Sequence, residues 1–239
     1  MIYICIPAFN EERTAGLLLW RIRQVMADFG RDYRVLFLDD GSTDETLDVV
    51  QPYSQVLPLE ILRNERRMGH GPALSRLIEA AVERCSYPRR DAVVTLQADF
   101  TDEPSAIPAL VKRIEGGADL VVARQEDGDA GVPLARRFVR RGLPWLGRKF
   151  EIPEPISDPL SGLRAYRVGL LKRAMRENGD EPLVRHDGWA GSLELLAAVA
   201  PHTRRVEETP SEVRYDRRAR RSRQTLWKAA RDYLDLLRR

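Results

Sequence analysis

Short apolar runs recur along the first half of the chain, and each gives way to a polar loop and then to a stretch with apolar residues at helical spacing. Residues 2–6 form the first run, Pro7-Ala8-Phe9-Asn10-Glu11-Glu12 its loop, and residues 14–29 its amphipathic helix. The unit repeats: a strand at 33–38 ends in Asp39-Asp40-Gly41-Ser42-Thr43-Asp44, whose capping residues lead into a helix at 45–52. A third strand at 59–63 is followed by the turn Gly69-His70-Gly71-Pro72 and a helix at 73–85. The unbroken apolar run at 92–96 reads as a strand buried on both faces. A helix at 105–115 and a strand at 119–123 complete the series.

Strands alternating with helices at this spacing predict an α/β fold, a mostly parallel sheet flanked by helices. In such sheets ligands bind beyond the carboxyl ends of the strands, which here are the loops rich in Asp and Asn. Asp39 suits the hydroxyl and N–H donors of a nucleoside, while Ser42 to Thr46 serve as helix caps. Asp99, ending the fourth strand, suits a hard divalent cation bridging two phosphates; Asp102 fits that role or an N-cap equally. Neither G-x-G-x-x-G nor G-x-x-x-x-G-K-[ST] occurs, which speaks against a dehydrogenase and a kinase.

The pattern changes after Gln125. A loop at 126–131 precedes an Arg-rich helical segment at 132–147, and Pro153, Pro155 and Pro159 break the chain before Leu160-Ser161-Gly162-Leu163-Arg164-Ala165-Tyr166. Helices are expected at 168–177 and 192–200, a strand at 206–215 and a basic loop at 217–223. Residues 226–239 place Leu226, Ala230, Tyr233, Leu234 and Leu237 on one helical face. That face suits either an anionic membrane surface or packing against protein. Over 239 residues the net charge is only +3, but its arginines concentrate in the second half. No run reaches the roughly 18 apolar residues of a membrane span, and Met1 leads directly into a strand. With two cysteines far apart, Cys5 inside a strand pattern, a reducing, cytoplasmic setting is expected. The basic half lacks interleaved aromatics, so nucleic acid is not an expected partner.

Taken in order and spacing, Ile6-Pro7-Ala8-Phe9-Asn10-Glu11-Glu12, Leu38-Asp39-Asp40-Gly41-Ser42-Thr43-Asp44 and Gln97-Ala98-Asp99 resemble three motifs of the family 2 inverting glycosyltransferases with the GT-A fold. Asp158-Pro159-Leu160-Ser161-Gly162-Leu163-Arg164-Ala165-Tyr166 further resembles a segment of that family's dolichol- and polyprenol-phosphate sugar synthases, and the likeness runs on through 207–223. The resemblance implies one GT-A domain: a Rossmann-like nucleotide-sugar-binding half at 1–125, an acceptor-binding half at 126–224 and a C-terminal amphipathic helix at 225–239. It implies transfer of mannose or glucose from a GDP- or UDP-sugar to a polyprenyl or dolichyl phosphate. Pro7, Phe9, Glu11 and Asp39 would contact the nucleoside, and Gln97, Ala98 and Asp99 would line the diphosphate, with Asp99 holding Mg2+ or Mn2+. Arg124, Arg217 and Arg223 would approach the phosphates. Arg164 would meet the acceptor phosphate, since a guanidinium can hold two phosphate oxygens.

Three positions depart from the family's pattern. Gln97 replaces the first acidic residue of D-x-D, Thr101 a following Gln, and Arg220 the glycine of the late basic loop. The first two leave metal dependence open. A lipid phosphate acceptor is already anionic and needs no general base; a hydroxyl acceptor does, and Asp158 is then the candidate. A nucleotidyltransferase would also use acidic strand-end loops, yet residues 7–12 lack the glycine-rich loop it places after its first strand. Peripheral contact with the inner face of the cytoplasmic membrane would bring a lipid acceptor within reach. The three histidines, His70, His186 and His202, have no metal-ligand spacing and read as structural or surface residues.

Overall fold

A computed structural model describes residues 1–125 and 153–211. The first stretch runs β1 (Ile2–Ala8), α1 (Ala15–Phe29), β2 (Tyr33–Asp39), α2 (Thr46–Val50), β3 (Leu59–Arg63), α3 (His70–Arg84), β4 (Ala92–Thr95), α4 (Ile107–Glu115) and β5 (Leu120–Gln125). The second holds β6 (Arg164–Arg167), α5 (Val168–Asn178), α6 (Gly188–Val199) and β7 (Val206–Ser211). Among the described residues these strands form one sheet in the order β3-β2-β1-β4-β6-β5-β7. All neighbours pair parallel except β6, which is antiparallel to both β4 and β5. The mostly parallel, helix-flanked α/β sheet expected from the sequence is the sheet observed.

Alternation along the strands divides the core in two. Ile2, Ile4, Ile6 and Ala8 of β1, with Val35 and Phe37 of β2, pack against α1 and α4 through Leu18, Ile22, Ile107 and Leu110. Tyr3 and Cys5, with Leu36 and Leu38, face α3, α5 and α6 through Leu77, Ile78, Leu171 and Leu196. Burial of each such side chain stabilises the fold by roughly 1.5–3 kcal/mol. Cys5 is a buried free thiol of this second layer, as its strand pattern indicated.

β6 has no counterpart in the sequence-based reading. Its four residues, Arg-Ala-Tyr-Arg, carry charge at both ends and follow Pro159 and Gly162, so no period-two signal rises above the loop. α3 begins at His70 rather than 73, because Pro72 sits in the first turn, where its missing N–H costs nothing. α6 begins at Gly188 rather than 192. Its Gly191 and Gly71 of α3 both abut the His186 carbonyl: a Cβ at either would lie 2.2 Å from that oxygen. The helix expected at 45–52 is shorter and continues as a 3-10 turn, Gln51–Gln55, with Pro52 inside it.

The expected helix at 132–147, the basic loop at 217–223 with Arg217, Arg220 and Arg223, the end of the strand expected at 206–215, and the C-terminal amphipathic helix lie outside the described residues. Among the described residues no helix is long and apolar enough to cross a membrane.

Candidate active site

The carboxyl ends of β1, β2 and β3 lie side by side, with Ala8 opposite Asp39 and Asp39 opposite Arg63. Asp39 is 0 % exposed. Its Oδ1 accepts the Ser42 N–H at 3.0 Å, and Oδ2 lies 3.5 Å from Arg63 Nε. Among the described residues no donor hydrogen-bonds to that Oδ2. Leaving a buried acceptor unmet costs about 1–3 kcal/mol, so the position is poised to receive one. Phe9, the next residue beyond β1, has the Arg67 guanidinium 4.5 Å from its ring centroid. Neither arginine stood out in the sequence, since an exposed Arg in an Arg-rich chain carries no signal of what it stacks on.

The loops around Asp39 are locked to one another. Asn10 adopts a left-handed conformation (φ 54°), its N–H donates to Ser42 Oγ at 2.9 Å, and its Oδ1 accepts the Thr43 N–H at 2.8 Å. Asp44 accepts the Thr46 N–H at 3.0 Å from the residue before the N-cap; the N-cap of α2 itself is Glu45, which makes no side-chain capping bond. Burial pushes the Asp44 carboxyl up, but hydrogen bonds from the Thr46 side chain and backbone N–H prevail and leave it below its ordinary value. Glu11 accepts from Thr14 Oγ1 at 2.8 Å, and its backbone N–H donates to Thr46 Oγ1 at 2.7 Å. Much of its capacity thus goes into starting α1. Pro7 points away from Asp39, to the α3 side of the sheet, where it lines a pocket with His70. A nucleoside contact from Pro7 therefore does not share the face that carries Asp39.

Beyond β4, Gln97, Ala98 and Asp99 do not present three side chains to one ligand. Ala98 buries its methyl group in the core, so only its backbone can face the cleft. Gln97 lies over Gly162: a Cβ there would come within 2.8 Å of Gln97 Nε2. Asp99 Oδ1 accepts the Thr101 N–H at 3.0 Å, and Phe100 turns the chain immediately afterwards in a left-handed conformation (φ 59°). Asp102, open between cap and ligand in the sequence, accepts the Gln97 N–H at 3.2 Å and so braces this loop. Among the described residues the two left-handed non-glycine positions, Asn10 and Phe100, each directly follow an expected binding residue. Such backbone costs of order 1–3 kcal/mol and clusters at functional sites.

His70, read from the sequence as structural or surface, heads α3 within electrostatic reach of Asp187, Asp99 and Asp40. Burial holds its imidazole below the ordinary value of 6.5 despite those three carboxylates. It lines, with Pro7, Gln97, Gly162, Arg164 and Ser192, a narrow pocket with about 10 Å³ of free space, roughly one water molecule.

Two residues, Glu208 and Arg164, organise the contacts around β5, β6 and β7. Glu208 of β7 accepts the Ser157 N–H at 2.5 Å and Ser157 Oγ at 2.9 Å, with Arg124 Nε 3.9 Å away. Arg124, 47 % exposed at the end of β5, is free to swing toward a phosphate at modest cost. Arg164 corrects an expectation. It is 1 % exposed, its Nη1 donates to Ser192 O at 2.7 Å and its Nη2 to Pro159 O at 2.5 Å. With both Nη groups committed to backbone carbonyls, and its buried Nε without a partner among the described residues, it braces the 158–163 turn against α6 rather than presenting a free two-pronged fork. Asp158 is likewise buried, 4 % exposed, with Oδ1 accepting the Leu160 N–H at 3.3 Å, so its carboxylate helps to hold the same turn. Nothing in the sequence marked Glu208, because its partners lie some fifty residues away.

The profile of a family described as Glycosyl transferase family 2 matches residues 3–174. Among similar proteins, the dolichol-phosphate mannosyltransferase of Pyrococcus furiosus is 28 % identical over 176 residues, 72 % of this chain and 47 % of that protein. The dodecaprenyl-phosphate galacturonate synthase of Rhizobium johnstonii is 27 % identical over 71 % of this chain and 48 % of its own. The bactoprenol glucosyl transferase of Shigella phage SfV is 28 % identical over 74 % and 53 %. The chain thus spans about half the length of these relatives. In fold it resembles glucosyl-3-phosphoglycerate synthase from Mycobacterium tuberculosis, crystallised with Mn2+ and UDP-glucose, with a TM-score of 0.64, 24 % identity, and coverage of 99 % of this chain and 76 % of that one.

Proposed function

The chain belongs to glycosyl transferase family 2, and from that premise we propose that it moves a hexose, mannose or glucose, from a nucleotide diphosphate sugar to a polyprenyl phosphate. The observation that carries the reading is that Phe9, Asp39 and Asp99 stand together at the carboxyl ends of the neighbouring strands β1, β2 and β4. The names of the similar transferases, a dolichol-phosphate mannosyltransferase, a dodecaprenyl-phosphate galacturonate synthase and a bactoprenol glucosyl transferase, support the acceptor class. Residues 1–125 form the donor half and the chain from 126 to 224 the acceptor half.

In this mechanism the phosphate oxygen of the acceptor, anionic at neutral pH, attacks the anomeric carbon. The bond from that carbon to the nucleoside diphosphate breaks with inversion, and no proton has to be removed. The chain contributes positioning and charge. Phe9 and Asp39 hold the nucleoside, and Arg124, with Arg217 and Arg223, meets the phosphates. The donor set suits a cation that arrives with the diphosphate: Asp99 is a single carboxylate, and among the described residues no cluster of three ligating side chains occurs. Bound there, Mg2+ or Mn2+ would neutralise charge on the departing diphosphate. Residues 225–239 would bring the site to the membrane surface as a peripheral contact.

The test is to incubate the full chain with UDP- and GDP-sugars and a short-chain polyprenyl phosphate in detergent, following nucleoside diphosphate release and lipid-linked sugar. Equimolar formation of both is expected. Transfer confined to a hydroxyl acceptor would sink the lipid reading.

A further inference from the structure

We propose that Glu208 is the resident counter-ion of Arg124: it parks the guanidinium beside the 157–158 turn, yields it to the phosphates of a bound nucleotide, and so limits how tightly nucleoside diphosphate is held. The inference rests on the reading above, in which Arg124 meets the phosphates, and adds a positioning residue that tunes that contact.

The two residues stand on neighbouring strands. β5 and β7 run parallel, with Val122 opposite Glu208 and Arg124 opposite Pro210. Side chains two apart share a face, so Arg124 and Glu208 project from the same side of the sheet, the arginine nearer its carboxyl end. The adjacent Glu207 faces the other way, where it pairs with Arg113 of α4. Adjacent glutamates of β7 therefore do different work.

The Glu208 carboxylate does not depend on the arginine for its place. Its Oε1 accepts the Ser157 N–H at 2.5 Å and the Asp158 N–H at 3.4 Å, and Ser157 Oγ lies 2.9 Å from each of its oxygens. Its side chain is 14 % exposed, against 47 % for Arg124. Arg124 Nε stays 3.9 Å from Oε2, an ion pair beyond hydrogen-bonding distance. Neutral donors thus fix the anion, while charge alone holds the cation, and an exposed pair of this kind gives way readily to a better anion.

A diphosphate arriving at the end of β5 meets two effects of Glu208, and they have the same sign. It must draw Arg124 off the carboxylate, and it then stands near a negative charge that cannot follow the arginine. Both weaken the hold on phosphate and leave the nucleoside untouched. Because nucleoside diphosphate is the product that has to leave, a looser hold favours turnover. A glutamate that served instead to aim Arg124 at the phosphates would have the opposite sign, since its loss would weaken binding.

Glu208→Gln separates the two. Its amide oxygen still accepts the Ser157 and Asp158 N–H groups and its amide nitrogen donates to Ser157 Oγ, so the turn keeps its bonds while the charge goes. We would titrate the full chain, Glu208→Gln, Arg124→Gln and the double variant with UDP, GDP, uridine and guanosine by calorimetry with Mg2+, at low and high salt. Expected in Glu208→Gln is at least about threefold tighter binding of the diphosphate that the wild-type chain prefers, with the matching nucleoside unchanged. The gain should shrink at high salt and should be smaller in the Arg124→Gln background. Unchanged or weaker diphosphate binding, or a gain undiminished without Arg124, overturns the counter-ion role and leaves the donor reading intact. Failure of the wild-type chain to bind either diphosphate overturns the donor reading itself. If Glu208→Gln does not fold, Glu208→Asp, whose shorter side chain draws the charge back from Arg124, decides by the same comparison: a gain that needs Arg124 supports the role and its absence ends it.

Discussion

Asp40 Oδ2 accepts the Gly69 backbone N–H at 2.8 Å, which ties the end of β2 to the start of α3. Its Oδ1 accepts Asn64 Nδ2 at 2.7 Å and the Met68 N–H at 2.8 Å. Asp39 and Asp40, adjacent in sequence, thus point to opposite faces of the sheet and do different work. Asp40→Ala strands three donors and should lower stability by roughly 3–5 kcal/mol, read from urea denaturation. Asp39→Asn keeps its Ser42 bond and should cost less than about 1 kcal/mol while losing nucleotide affinity. Equal destabilisation by the two would refute the division of labour.

Arg164 is expected to behave as a brace. Removing it in Arg164→Ala leaves the Pro159 and Ser192 carbonyls without their donor and opens a cavity, a loss of roughly 3 kcal/mol. The urea midpoint should fall while the affinity for nucleoside diphosphate stays within about twofold. A phosphate clamp would show the reverse pattern, with stability intact and the KM for acceptor raised.

These two cases mark how far the sequence could be read. The strand and helix order through Gln125, and the strand-end position of Asp39 and Asp99, were legible because apolar periodicity and loop chemistry are local properties. β6 was not, since a four-residue strand flanked by arginines has no periodic signal, and its place between β4 and β5 is set by tertiary pairing. The role of Arg164 failed for a related reason: a resemblance assigns a residue to a ligand by position, but burial decides whether its guanidinium is free. The surroundings of His70, and Glu208 altogether, were not legible because their partners, Asp187 and Asp99 for the one and Ser157 for the other, are distant in sequence.

His70 makes the fold sensitive to acid. Its native pKa lies below the ordinary 6.5 because burial disfavours the imidazolium. The unfolded chain therefore binds a proton more readily than the native one, and stability rises with pH through this window. The contribution is complete above the unfolded value and is lost as pH falls through the lowered native one. Thermal melts from about pH 7.5 down to about pH 5.5 should show a steeper fall in Tm for the wild-type chain than for His70→Asn. Parallel slopes in the two proteins would contradict the assignment.

Asp99 and Gln97 together predict a weak and improvable cation site. A nucleotide-borne cation held by one carboxylate gains less from the protein than one held by two. Mn2+ should therefore raise the affinity of the wild-type chain for UDP only modestly, by about tenfold or less. Asp99→Asn should abolish that increment and leave the metal-free affinity within about twofold. Gln97→Asp supplies the second carboxylate, and because the shorter side chain withdraws from Gly162, the change introduces no clash there. It should enlarge the Mn2+ increment and lower the Mn2+ concentration needed to reach it, both measurable by calorimetry without turnover. If Gln97→Asp left the increment unchanged, the Gln97 position would lie too far from the diphosphate to matter, and the cation would rest on Asp99 and the nucleotide alone.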